Sequence, residues 1–177
     1  SVTLQKEFRR FTSQNDNVNM SAGISLMKPG APVARSVWSV EEALEESKDR
    51  VIKGETEGRG QLTFNGRTMK WAKVSSLLEA GSQLFDWLKR EKITVGFLRK
   101  LLAFAEMHQR YYQHGEVEGL RYLPLLTYEI ARNFTSPEKL DQDKLAVRLW
   151  VENIKKLDHD HTIYLDFLVK YALIAKE

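Results

Sequence analysis

Residues 18–48 read VNMSAGISLMKPGAPVARSVWSVEEALEESK, and this stretch decides the fold. Its first ten residues alternate, with Val18, Met20, Ala22, Ile24 and Leu26 on one side and Ser21, Gly23 and Ser25 on the other. A period of two is that of a β-strand. Small residues along one face require that something approach that face closely. The two prolines and the glycine of KPGAPV end the strand in a loop. From Val33 to Lys53 the period becomes helical, which directs Val37, Val40, Ala43, Leu44 and Val51 inward and Glu41, Glu42, Glu45, Glu46 and Asp49 outward.

Working outward, Leu4, Phe8 and Phe11 recur at helical spacing ahead of the strand, and the polar cluster SQNDN at 13–17 stops that helix. Beyond the second helix, GETEGRG at 54–60 is a loop, and LTFNGRTMKW at 62–71 is a hairpin with Asn65-Gly66 as a type I′ turn. From about residue 72 only helical periodicity remains, in segments near 72–91, 95–114, 119–134, 138–157 and 161–176. Leu98, Leu101, Leu102, Ala105, His108 and Tyr112 form one inward stripe; Leu145, Leu149, Ile154 and Leu157 form another, and Tyr164, Phe167, Leu168 and Tyr171 a third. Gly115 and Gly119 mark breaks, and Ser136 with Pro137 suits an N-cap and first helical position. The expected fold is α+β: a small strand, helix and hairpin part over residues 1–72, then an all-α bundle of about five helices over residues 73–177.

The composition is that of an ordinary globular protein, 42% hydrophobic and 29% charged over 177 residues. No apolar run approaches the roughly 20 residues of a membrane span, and no secretory leader pattern is present, so the expectation is a cytoplasmic protein with no membrane partner. Opening at Ser1 directly into LQKEFRRF, the chain reads as a piece of something longer. Cysteine is absent, which excludes disulfides, thiolate metal sites and thiol nucleophiles. A net charge of +3, from 27 basic against 24 acidic residues, leaves only local patches to attract a polyanion.

Several clusters invite a chemical reading, and most have a plainer one. The acids of 41–49 are spaced as ordinary ion pairs, Glu46 with Arg50 and Asp49 with Lys53, rather than as converging metal ligands. His159, Asp160 and His161 diverge at a helix start where Asp160 suits the N-cap, and His108 lies on an apolar stripe as a packing residue. Neither Ser21 nor Ser25 sits in a nucleophile elbow, and no glycine-rich phosphate loop occurs. The four tryptophans, at 38, 71, 87 and 150, read as core anchors. One basic patch stands out: Arg59, Arg67, Lys70 and Lys73 surround the hairpin in a stretch, 58–78, that holds no acidic residue. It suits contact with RNA or a neighbouring subunit, or protection of an exposed hairpin from edge pairing.

The order SAGISLMKPGAPV, SVEEALEESK and FNGRTMKW, leading into a helical bundle, resembles the large subunit of type III, Csm-type CRISPR interference complexes. The resemblance implies that residues 1–72 are the end of a nucleotide-cyclase-like palm, an incomplete ferredoxin-like fold, and that 73–177 are the C-terminal helical domain. It further implies a parent protein that polymerises ATP into cyclic oligoadenylates at two metal ions, magnesium or manganese, held by the aspartates of a Gly-Gly-Asp-Asp hairpin. It also implies a separate HD domain cutting single-stranded DNA. Both motifs are expected upstream of Ser1, so this chain alone is expected to bind no metal and to be inactive.

On the same resemblance Lys48 matches a lysine that reaches the nucleotide's phosphates, and Ser21 and Gly23 match the strand on which ATP lies. The implied partners are the remainder of the large subunit, the small helical subunit of the complex, and the crRNA with its target RNA. Tight packing of Ser21 and Gly23 against the palm helices, and a surface lysine at a helix end for Lys48, remain the plainer alternatives. A different class of function, a non-catalytic helical scaffold or RNA-binding subunit, remains open beside this reading.

Overall fold

In a computed structural model the residues described are 2–15, 17–27, 30–52, 58–134 and 141–176. The expected Asp49–Lys53 pair and the Ser136–Pro137 helix start lie outside them. The protein is mixed α+β and divides into two compact units, residues 1–76 and 77–177, where the sequence reading put the boundary near residue 72.

In the first unit the elements run α1 (Val2–Phe11), β1 (Ala22–Ile24), α2 (Val33–Asp49), β2 (Gln61–Phe64) and β3 (Arg67–Lys70), ending in the start of α3 (Trp71–Lys89). The sheet order is β1-β2-β3. β1 runs parallel to β2, with Gly23 opposite Thr63, and the crossover between them is α2. β2 and β3 form the hairpin, antiparallel, with Leu62 opposite Met69. Positive φ at both Asn65 (49°) and Gly66 (79°) is the requirement of a type I′ turn, whose twist matches that of the strands. The Asn65 N–H donates to the Ile24 carbonyl at 2.8 Å, tying the turn to the end of β1.

The question raised by the small-residue face of β1 has a structural answer, because α2 lies on it. A Cβ added at Gly23 would stand 2.7 Å from the Ala43 carbonyl carbon and 2.9 Å from Leu44 Cα. So close an approach admits only small side chains between helix and sheet, and those of α2 are Ser39, Ala43 and Ser47, spaced i, i+4, i+8 along one stripe. Ser21 Oγ donates to the Ser47 carbonyl at 3.1 Å, and the Ser25 and Ser39 hydroxyls meet at 2.5 Å. Farther across the sheet, the Thr63 and Thr68 hydroxyls pair at 2.8 Å.

This corrects the expected inward face of α2. Ala43 is buried and Leu44 half-buried, but Val37, Val40 and Val51 are exposed, together with Val33 at 77% and Trp38 at 72%. Apolar side chains there would have held the helix away from the backbone of β1. Trp38 is therefore not a core anchor. Along α1 no residue is buried, and of its apolar stripe Leu4 and Phe11 are exposed, Phe11 by 88%.

The second unit holds the rest of α3, then α4 (Val95–His114), a 3₁₀ segment (Val117–Arg121), α5 (Tyr122–Asn133), α6 (Gln142–Asn153), α7 (Asp160–Ile163) and α8 (Leu165–Ile174). α4 is its hub, touching α5, α7, α8 and the 3₁₀ segment. The Thr94 hydroxyl caps its first turn by accepting from the Phe97 N–H at 3.1 Å. Gly115 closes it in the left-handed conformation at φ 71°.

Of the expected α4 stripe, Leu102 and Tyr112 are half-buried, and Leu98, Leu101, Ala105 and His108 are fully buried. Each such leucine contributes about 2 kcal/mol by leaving water. Trp87 and Trp150 meet edge to face at 6.1 Å, as core anchors should. On α6 the inward stripe is Val147, Trp150, Val151 and Ile154, and Leu149, expected inside, is 59% exposed. It stands two residues, about 200°, from Val147, and so on the opposite side of the helix. No helix among the described residues is long and apolar enough to cross a membrane.

Candidate functional site

Ser21 and Lys48 come together where β1 begins and α2 ends. Ser21's hydroxyl is engaged by the Ser47 carbonyl, one residue before Lys48. Lys48 itself is exposed in the last turn of α2, where a cation complements the helix dipole. The Arg50 N–H closes the helix on the Glu46 carbonyl at 3.0 Å, and the Arg50 carbonyl accepts from the buried Gln61 side chain at 2.8 Å. Glycine at 58 lets a second backbone reach this end, since a Cβ there would lie 2.8 Å from the Lys48 carbonyl oxygen. The sequence reading singled out neither Gln61 nor Gly58, although a glycine in a charged loop and a glutamine opening a strand were the visible signals.

Gly23 does something other than admit a nucleotide on its face of the strand. The space above it is filled by the backbone of α2, so its absent side chain sets the distance between helix and sheet. Ser21 shares that role through its bond to Ser47. Of the three residues expected at the nucleotide, Lys48 is the one whose charged group faces solvent.

The basic hairpin is knit into its own unit. Lys70 Nζ donates to the Arg59 carbonyl at 3.0 Å, Arg67, Lys70 and Lys73 are half-buried, and Arg59 is exposed. Trp71, the residue that follows the hairpin, donates its indole N–H to the Met20 carbonyl at 2.6 Å and so fastens the start of α3 to the approach of β1. That bond explains a tryptophan here better than a stacking platform does, because its polar edge is already committed.

At the opposite end of β1 and β2 lies a polar cavity of about 220 Å³ bounded by Ser25, Ser39, Glu42, Glu46, Asn65 and Gly66. Glu46 Oε1 stands 3.8 Å from Arg50, the i,i+4 pair that the spacing implied. The cavity brings two carboxylates together and no third ligand, and among the described residues no group of three or more His, Asp or Glu side chains could hold a metal ion.

The His159-Asp160-His161 cluster is a helix start of a different kind from the one expected. His159, not Asp160, is the N-cap of α7, its Nδ1 accepting from the His161 N–H at 3.1 Å. His161 Nδ1 in turn accepts from the Trp150 indole N–H at 3.0 Å. Both Nδ1 atoms are thus acceptors, which places the ring protons on Nε2. Burial first, and His159 second, hold the His161 pKa below its ordinary value of 6.5.

A depressed histidine favours its neutral form in the folded state, so its contribution is complete above pH 6.5 and is lost as pH falls through the folded value. Thermal unfolding followed by tryptophan fluorescence should show a midpoint that falls between pH 7 and pH 5. Replacing His161→Gln should reduce that fall; an equal fall in both proteins would remove His161 as its source.

No family model matches the chain, and no curated protein or solved structure matches it significantly.

Proposed function

We propose that this chain is the C-terminal part of the large subunit of a type III CRISPR complex, residues 1–76 being the rear of its cyclase palm and 77–177 its helical interaction domain. The observation that carries the reading is an incomplete sheet. Among the described residues β1, a three-residue strand, pairs with β2 alone, while Phe11 of α1 and Val33 and Trp38 of α2 lie largely in water. An open edge flanked by apolar side chains is a hazard that proteins cover. In a palm the remaining strands supply that cover. The chain order strand, crossover helix, hairpin occurs within the β-α-β-β-α-β series of a ferredoxin-like fold, although here β1 pairs with β2 directly rather than across an intervening strand.

On this reading the aspartates that hold the metal ions belong to another part of the large subunit. They would bring the two-metal activation of ATP. This chain supplies Lys48, a flexible point charge suited to a triphosphate, held at the end of α2 by the contacts of Ser21, Gly23 and Gly58. In the complete large subunit, Lys48→Ala should lower oligoadenylate synthesis roughly tenfold at limiting ATP, the loss of about one charge-assisted contact, while the complex still assembles. Unchanged synthesis would remove Lys48 from the nucleotide site.

A further inference from the structure

On the second unit, α4, the 3₁₀ segment and α5 enclose a groove of about 210 Å³ lined by Met107, Arg110, Glu118, Gly119, Arg121 and Leu125. It continues along α5 as a stripe. Arg121, Leu125, Tyr128 and Arg132 follow at i, i+4, i+7 and i+11, a spacing that keeps them on one helix face over about 16 Å. Leu125 is 44% and Tyr128 60% exposed, and Arg110, Arg121 and Arg132 are exposed as well. Among the described residues none of these three arginines has a salt-bridge partner, although ion pairs tie Arg90, Lys92 and Lys100 elsewhere in the same unit.

We propose that this groove docks an amphipathic helix of a partner protein whose apolar stripe is flanked by aspartate or glutamate. Aliphatic and tyrosyl surface in the middle takes the apolar anchors of such a helix. Guanidinium groups at both ends pair carboxylates in bidentate fashion. A stripe of 16 Å matches about three turns of partner helix.

The charge pattern selects this occupant over the others. Residues 77–177 hold fifteen basic and fifteen acidic side chains, so the unit exerts no general pull on a polyanion. A single exposed tyrosine is no run of stacking platforms for a nucleic-acid strand. A second copy docked by the same face about a two-fold axis would set arginines against arginines. The proposal rests on the second unit alone and does not depend on the reading of the palm.

The test is fluorescence anisotropy of the full chain with a labelled synthetic peptide of about five helical turns, leucine along one stripe and glutamate elsewhere. A scrambled peptide of the same composition and a labelled oligouridine serve as competitors for the interpretation, and sedimentation velocity reports self-association. The patterned peptide should bind with Kd on the order of 10 μM. Tyr128→Ala and the pair Arg121→Glu, Arg132→Glu should each weaken it roughly tenfold, as anchors at the centre and rim of a small interface do. All three positions are exposed, and unchanged far-ultraviolet circular dichroism confirms that the variants fold. Failure to bind, equal binding of the scrambled peptide, oligouridine binding that the same substitutions abolish, or self-association that they abolish would each overturn the proposal.

Discussion

Replacing Gly23→Ala should destabilise the first unit by about 3 kcal/mol, and Gly23→Val by more, because the added carbon has nowhere to go. The atoms it meets are backbone: the Ala43 carbonyl carbon at 2.7 Å, Leu44 Cα at 2.9 Å, and the Leu44 amide nitrogen closer still. A side chain can rotate away from a new methyl group, but a helix backbone can only translate. Moving α2 off β1 stretches the bond from Ser21 Oγ to the Ser47 carbonyl and parts the Ser25 and Ser39 hydroxyls. It also uncovers Thr63 and Thr68. Amide hydrogen exchange read on residues 18–27 and 33–50 should accelerate in both elements together, a change of about 3 kcal/mol corresponding to more than a hundredfold. Protection equal to that of the unaltered protein would show that α2 does not rest on β1 as described.

The same contact explains how much was legible in the sequence. The Asn65-Gly66 pair gave the hairpin, and the alternation from Val18 to Leu26 gave a strand that is only Ala22–Ile24 long, because period and turn chemistry are local properties while strand length depends on pairing. The long segments of the second unit were equally plain, since Leu98, Leu101, Ala105 and His108 repeat with the period of the helix they build. What misled was the assumption that the most apolar face of a helix is its inner one. In α2 the inner stripe is Ser39, Ala43 and Ser47, a small-residue pattern written at four-residue intervals in SVEEALEES. It becomes meaningful only beside the small residues of β1.

A related limit applies to the candidate site. Lys48 was singled out by the family resemblance, whereas the contacts that hold that end of the helix in place, from Gln61 to Arg50 and from Gly58 to Lys48, join residues many positions apart. Conversely, the basic hairpin looked like an open patch because its charges are adjacent in sequence. Lys70 turns back onto the Arg59 carbonyl, a geometry that no count of charges contains. Trp38 of α2, misread as core, is now one of the exposed apolar residues that the incomplete-sheet argument uses.

In the second unit two glycines four residues apart should fail for opposite reasons. Gly115 needs its φ of 71° to end α4, and nothing lies within 4 Å of the position a Cβ would take. Asparagine tolerates that conformation, so Gly115→Asn should cost under about 1 kcal/mol. Gly119 needs no such φ but is pressed onto α4, where a Cβ would collide with the Met107 carbonyl oxygen and stand 2.8 Å from the Tyr111 nitrogen. Gly119→Ala must lift the 3₁₀ segment, and with it Tyr122, whose ring packs edge-on against His108 at 5.7 Å.

Tyr122 is fully buried, and burial pushes its hydroxyl pKa up to about 12, so a displaced ring leaves a poorly solvated phenol or opens a cavity. The expected cost is about 3 kcal/mol, or a fall of roughly 12–24 °C in the midpoint for a unit of this size. Thermal unfolding of the two variants side by side decides the matter. A Gly119→Ala midpoint as high as that of Gly115→Asn would mean that the segment yields without disturbing Tyr122. The wall that Gly119 contributes to the groove would then be adjustable rather than fixed.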